Sequence, residues 1–306
     1  MLRKFQITEG KVVPSSTDPS QVLLYVNPDE LEKKYLIEEL KIDEYDVNSA
    51  LDPNELGRVE FENGHTIFIL KRPKKYSSED NFLLKISSIG IFLFPDKLII
   101  LLNEDTELFD GRYFSRLRSV PDLLLKIIYR CILHFVQHLQ VIQQMSDELE
   151  GEINKAMSNR HLLSMFNLEK SLVYYLKSIG SNGKVIDKIR TNAVKFNFST
   201  EEMEFLEDLA IENSQCNEQA NTYSQVLSNM MDAWASVVSN NLNILIKKLT
   251  LLTIGIMLPT LVVSIFSMNV RLPANLEKSP YAFWWVIFLA ILSAVIMNII
   301  QRLKNW

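Results

Sequence analysis

Residues 247–306 read KKLTLLTIGIMLPTLVVSIFSMNVRLPANLEKSPYAFWWVIFLAILSAVIMNIIQRLKNW, and their reading decides the fold. Leu249 to Phe266 is 18 residues without a charge, an uncharged run that extends to Val270; Tyr281 to Ile300 is a second, of 20 residues. A bilayer core is about 30 Å thick and about 20 helical residues cross it, so both runs are transmembrane candidates. A buried hairpin of a soluble protein is the competing reading. Trp284 and Trp285 fall at one expected interface and Trp306 at the other, as interfacial aromatics do. Lys247 and Lys248 precede the first run and Arg302 and Lys304 follow the second, while the connection carries Arg271, Glu277 and Lys278. Four cations against two place both termini in the cytoplasm. This assigns 249–268 to a first transmembrane helix, 269–280 to an outer loop, 281–301 to a second transmembrane helix and 302–306 to a cytoplasmic tail. The beginning, MLRKFQITEGKVV, alternates like a strand and has no apolar signal-peptide core.

Upstream, proline divides the chain. Seven of the ten prolines lie in 1–121 and none lies between Pro121 and Pro259. The first part reads as mixed α/β and the second as almost wholly helical. Gln21–Val26 (QVLLYV) predicts a strand, and Asn27 with Pro28 reads as the cap and first residue of a following helix. HTIFILKRP (65–73), NFLLKISSIGIFLFPD (81–96) and KLIILLNED (97–105) are β-rich runs broken by turn residues. Strands with intervening helices indicate an α/β domain over 1–121. Over 122–198 apolar residues recur at helical spacing: a long helix ending in MSDELEGEI, then a shorter one around Arg160–Ile179, closed by a turn at SIGSNG.

Ser199 and Glu202 form a capping box that opens a stalk helix over 199–248. Between Gly183 and Gly255 there is neither Gly nor Pro, so this helix has no stop before the first apolar run. Running from Thr200 to Phe266 it would be about 100 Å long at 1.5 Å per residue. From Phe196 to Ile246 it carries no Lys or Arg, but eight acids: Glu201, Glu202, Glu204, Glu207, Asp208, Glu212, Glu218 and Asp232. Solvated helix faces usually mix charge signs; a one-signed rod leading to a membrane concentrates cations.

Steps of three and four residues along the first span pick out Asn243, Ile246, Thr250, Thr253, Met257, Thr260, Ser264 and Ser267. Six of these eight can hydrogen-bond through the side chain, and the residues between are mostly Leu, Ile and Val. This uncharged polar stripe is either a helix-packing face or a pore wall. Two spans cannot enclose a pore, so a pore needs several copies around an axis. Hydroxyls and amides suit an ion that keeps its water, as Mg²⁺ does.

Other chemistries find little support. Cys131 and Cys216 match no metal or redox spacing. His134 and His138 are four apart on a predicted helix, but no Glu follows the first and no acidic third ligand sits near them, which favours packing over metal binding. No nucleophile triad, phosphate loop or paired catalytic carboxylates appear, so an enzyme is not expected. The net charge is −5 and no nucleic-acid partner is expected.

A long helix entering the first of two C-terminal spans, ended by Ser267-Met268-Asn269 and a short Pro-containing loop, resembles the CorA-type divalent cation transporters, whose signature there is Gly-Met-Asn. SNNLNILIKKLTLLTIGIMLPT (239–260), SALDPNELGRVEFENGHTIFILKRP (49–73), MSDELEGEI (145–153) and FLEDLAIENSQCNEQANTY (205–223) are similar to further stretches of that family, in the same order. The resemblance implies an α+β membrane protein: an N-terminal cytoplasmic α/β/α domain, a long stalk helix and two transmembrane helices, assembled as a funnel-shaped homopentamer in the inner membrane of a prokaryote. It implies transport of Mg²⁺, with Co²⁺ or Ni²⁺ as further ions. Asn269 would meet the hydrated ion at the outer mouth, and Asn243, Leu249, Met257 and Thr260 would fall where the pore narrows. Asp208 would contribute to a regulatory Mg²⁺ site between subunits, with Asp96 and Asp80 as candidate partners, and Arg302 and Lys304 would belong to a basic ring. This sequence departs in having Ser267 for Gly, and Arg271 where an acidic residue usually follows. Transport of another divalent ion such as Zn²⁺, inward or outward, and a non-conducting scaffold or sensor are the alternatives.

Overall fold

A computed structural model describes residues 1–15, 19–76, 82–153, 159–268 and 281–303. The chain divides into two compact units, Met1–Met231 and Asp232–Trp306.

The first unit is built on a seven-stranded sheet of order β2-β1-β3-β7-β6-β5-β4. Its strands are β1 (Leu2–Thr8), β2 (Lys11–Pro14), β3 (Val22–Val26), β4 (Arg58–Phe61), β5 (Thr66–Pro73), β6 (Ile86–Leu93) and β7 (Leu98–Leu102). Only β3 and β7 pair in parallel; every other pairing is antiparallel. The alternating N-terminal stretch is a hairpin. Glu9 and Gly10 both have positive φ, 51° and 73°, the two-residue turn that matches strand twist.

Strand β7 shows how the layers form. All five of its residues are buried, and period-two alternation sends them to opposite faces. Ile99 and Leu101 join Leu36, Val47 and Ala50 of helices α1 (Glu30–Glu38) and α2 (Glu44–Leu51). Leu98, Ile100 and Leu102 join Leu124, Ile128, Leu172 and Ile186 of α3 (Val120–Ile153) and α4 (Asn159–Thr191). The result is an α/β/α sandwich in which the helical stretch after Pro121 supplies the second outer layer. On the α2 side, a Cβ at Gly90 would lie 2.2 Å from that of Ala50, so glycine lets α2 approach the sheet.

Two local expectations are corrected. Asn27 does not cap α1; it has φ 44° and its N–H bonds Leu102 O at 2.7 Å, extending the β3–β7 pairing. The cap is Asp29, whose carboxylate accepts from Glu32 N at 2.8 Å while Glu32 accepts from Asp29 N at 3.1 Å. This reciprocal box outweighs the proline signal.

SIGSNG (178–183) is not a turn but lies inside α4, which runs on to Thr191. Its small residues serve close packing. A Cβ on Gly183 would meet Asn213 Nδ2 at 2.9 Å, and that amide donates to Ile179 O at 3.1 Å. Strand β4 pairs with β5 only as far as Ile69. Beyond it Asn182 covers the open edge: its Oδ1 accepts from Lys71 N and its Nδ2 donates to Lys71 O, both at 2.8 Å. Buried edge groups need such partners.

The fifth α-helix, α5, runs from Thr200 to Phe266 as one 67-residue helix, and α6 covers Ala282–Leu303. Ser199 and Glu202 close the expected capping box at 2.7 and 3.2 Å. Within the first unit α5 buries Leu206, Leu209, Asn213, Cys216, Ala220, Leu227 and Met230.

Asn182→Ala should leave two buried backbone groups of Lys71 unpaired, at a cost of about 1–3 kcal/mol each. Thermal unfolding of the detergent-solubilised protein should show a clearly lowered midpoint; an unchanged midpoint would contradict the edge-covering role.

Candidate functional site

In the second unit, α5 and α6 are apolar on nearly every face and exposed. Leu249, Leu252, Ile256 and Met257 are each more than 60% exposed, as are Phe283 and Trp284. Among the described residues, these are the two helices long and apolar enough to cross a membrane.

The stripe predicted on α5 lies on this exposed helix: Asn243, Ile246, Thr250, Thr253, Met257, Thr260, Ser264 and Ser267 follow one another at alternating steps of three and four, and Leu249 adjoins them. Its hydroxyls are oriented. Thr253 Oγ1 donates to Leu249 O and Thr260 Oγ1 to Ile256 O, both at 2.8 Å, and Ser267 Oγ donates to Ser264 O at 2.9 Å. A hydroxyl whose proton is engaged on its own helix keeps its lone pairs as acceptors. The stripe therefore carries acceptors. Water around a divalent cation points its hydrogens outward and needs such acceptors. A repeat of 3.5 residues also keeps one seam facing a shared axis when helices supercoil.

Met268 is 56% exposed, immediately beyond α5. Asn269, Asp80 and Lys304 lie outside the described residues, as does the loop 269–280, while Arg302 falls in the last turn of α6. Asp208 is exposed on α5, and Asp96 is exposed in the turn closed by Phe94 N bonding Lys97 O at 2.9 Å. Within one chain the structure does not join these two acids. Among the described residues no three His, Cys, Asp or Glu side chains gather as metal ligands.

The acidic face of α5 is more balanced than its own sequence indicates. Arg118, ahead of α3, pairs with Glu201, and Arg190 of α4 pairs with Glu207 at 3.1 Å. Glu202 accepts from Ser119 Oγ at 2.6 Å besides closing the capping box, and its hydrogen bonds hold its carboxyl below the usual range against the opposing effect of burial. The partners come from segments far away in sequence, which a scan of the helix cannot find. Glu204, Asp208, Glu212, Glu218 and Asp232 remain exposed.

His134 and His138 pack rather than chelate. Their rings meet edge to face at 4.7 Å, and His138 Nδ1 lies 2.7 Å from Tyr175 OH. Burial pushes His134 down to about 3, with His138 and the cations Arg72, Arg130 and Lys75 adding to the effect, and burial pushes His138 down to about 4. Both are held neutral in the fold. Their contribution is complete above the unfolded value near 6.5 and is lost as pH falls towards 4 and 3, because the unfolded chain then binds more protons. The unfolding midpoint should therefore drop between pH 7 and pH 5, and His134→Gln should flatten that drop. An equally steep drop in the variant would contradict the assignment.

An α/β/α domain whose last helix continues as the first of two apolar spans defines a class of two-span membrane proteins. The family model described as "CorA-like Mg2+ transporter protein" matches residues 23–302, and the chain belongs to that family. It is 26% identical over 291 residues to the cobalt/magnesium transport protein CorA of Methanocaldococcus jannaschii, covering 92% of this chain and 89% of that one. A protein of the same description from Thermotoga maritima is 22% identical over 272 residues, covering 85% and 75% respectively. The complete structure of the CorA magnesium transporter from Methanocaldococcus jannaschii superposes with a TM-score of 0.82 at 23% identity, covering 99% of this chain and 97% of that one, and so shares the fold.

Proposed function

We propose that this protein conducts divalent metal cations passively across the cytoplasmic membrane of a prokaryote, Mg²⁺ first, with Co²⁺ and Ni²⁺ as further ions. The observation that carries this reading is the acceptor stripe on α5, whose hydroxyls at Thr253, Thr260 and Ser267 have their protons engaged on their own helix. The cobalt/magnesium transport function in the descriptions of both relatives supports it. One such helix cannot surround an ion, so several copies, five by the family resemblance, would place the stripe around a common axis.

In this reading 249–268 and 281–301 span the bilayer, both termini are cytoplasmic and 269–280 lies outside. Ser267, Met268 and Asn269 form the mouth, and the Asn269 amide meets the hydrated ion. Asn243, Ile246, Leu249, Thr250, Thr253, Met257, Thr260 and Ser264 line the path, with Leu249 and Met257 as apolar constrictions. Arg302 and Lys304 form a basic ring on the inner side. An inside-negative potential drives entry with about 2.3 kcal/mol per charge per 100 mV. Intracellular Mg²⁺ at Asp208, shared with an acid of a neighbouring copy such as Asp96 or Asp80, holds the assembly closed.

Flux into proteoliposomes tests this. Mg²⁺ entry is expected, and Asn269→Ala should reduce it strongly; unaltered flux and selectivity would remove Asn269 from the mouth. Zn²⁺ flux without Mg²⁺ flux would make this a zinc transporter, and no flux of any ion would leave a non-conducting scaffold. Asp208→Ala should weaken the protection that Mg²⁺ gives against proteolysis; full protection in that variant would locate sensing elsewhere.

A further inference from the structure

A cavity of about 160 Å³ in the first unit lies among Arg72 at the end of β5, Lys75 just beyond it, Thr106 and Glu107 of the segment between β7 and α3, and Arg130 and His134 of α3. Its size excludes most organic ligands, whose pockets start near 300 Å³. It holds the volume of about five waters at about 30 Å³ each.

The charges are one-sided. Arg72 lies 2.9 Å from Glu104, which also has Lys74 at 3.7 Å. Counting those two partners with the lining residues gives four cations, Arg72, Lys74, Lys75 and Arg130, against two carboxylates, Glu104 and Glu107. Asp105, the carboxylate between them in sequence, is held by both Nη atoms of Arg3 at 2.9 and 2.6 Å and also feels the charge of Lys75; adding the Arg3–Asp105 pair leaves the imbalance at two. The imbalance equals one dianion.

Arg72 makes the cavity more than a basic patch. Its side chain is only 3% exposed. Nη2 serves Glu104, but Nε is buried with no hydrogen-bond partner among the described residues. A guanidinium presents its donors as a rigid fork, and an unused buried N–H on that fork is costly unless an acceptor meets it. Across the cavity, Arg130 and Lys75 both act on His134 electrostatically, which places their charges around the same space. Oxyanions with several acceptor oxygens suit such converging donors.

We propose that this cavity binds a small dianionic oxyanion, a phosphoryl group, with Arg72, Arg130 and Lys75 as its ligands. The occupant is inorganic phosphate or the phosphate of a larger metabolite. Binding would tie the end of β5, the segment after β7 and helix α3 to one another.

Titration calorimetry on the full-length protein in detergent, with sodium phosphate against sodium chloride at matched ionic strength, tests the site. Phosphate should bind saturably where chloride does not. Arg130 is partly exposed, so Arg130→Gln should fold, as its melting curve without phosphate will check. It should weaken phosphate binding about tenfold or more, the loss of one charge-assisted contact; Lys75→Gln should act in the same direction. AMP separates the two sources: weaker binding than phosphate indicates the free ion, tighter binding a phosphorylated metabolite. Equal responses to phosphate and chloride, or unchanged affinity in both variants, would overturn the proposal.

Discussion

A helix in hydrocarbon has no water to satisfy its backbone, so every peptide group must find its partner inside the protein. That constraint bears on the apolar stretches of α5 and α6, the two helices among the described residues long and apolar enough to cross a membrane. Helix α5 meets it along most of its length through its own ladder, and Thr253, Thr260 and Ser267 turn their hydroxyl protons back onto its carbonyls. Pro259 interrupts the ladder, since it has no N–H to offer the carbonyl four residues earlier. The same inward bonds leave oxygen lone pairs as the polar character of an otherwise apolar surface. A single copy gives those acceptors no partner, and the exposed Leu, Ile and Trp residues of α5 and α6 need a non-aqueous surrounding. In the proposed assembly one arrangement would answer both needs, and a hydrated cation is a partner that a stripe of acceptors can serve.

The first unit solves a different problem. It must hold the start of a 67-residue helix firmly. Ser199 and Glu202 close its first turn, Arg118 and Arg190 balance its acids, and the Asn213 amide fits against Gly183 to reach Ile179 O. The helix that α5 rests on here is itself fastened to the sheet, because Asn182 of α4 completes the hydrogen bonding of β5 where β4 ends. Small polar residues do this work because only they allow backbones to approach so closely.

Much of this was legible in the sequence. Two uncharged runs, a capping box and the lack of Gly or Pro between Gly183 and Gly255 predict one helix from Thr200 into the first span, and the structure contains it. Strands β3, β5, β6 and β7 were legible from β-rich runs ended by turn residues and the N-terminal hairpin from its alternation as a strand, while β4 (Arg58–Phe61) was not read. The misreadings share a cause. SIGSNG has turn composition, yet its Gly and Asn are explained by partners on β5 and α5. Asn27 precedes Pro28 and looks like a cap, but a pairing with Leu102, distant in sequence, claims its N–H. The stripe was legible from spacing alone; the direction of its hydroxyl protons was not, since either helix face can receive them. The phosphoryl cavity had no local signal, because its cations come from β5, the segment beyond it and α3 and meet only in the fold.

The central claim is that one seam of α5 faces an aqueous path. Its most direct measurement is the reaction of single cysteines, placed one at a time from Thr250 to Ser267, with a membrane-impermeant thiol reagent in proteoliposomes. Cys131 and Cys216 are buried and should contribute little background. Labelling is expected to recur at 250, 253, 257, 260, 264 and 267, with loss of ion flux, and to spare Leu252 and Val262. Labelling that followed the opposite face, or that showed no repeat of three and four, would contradict it.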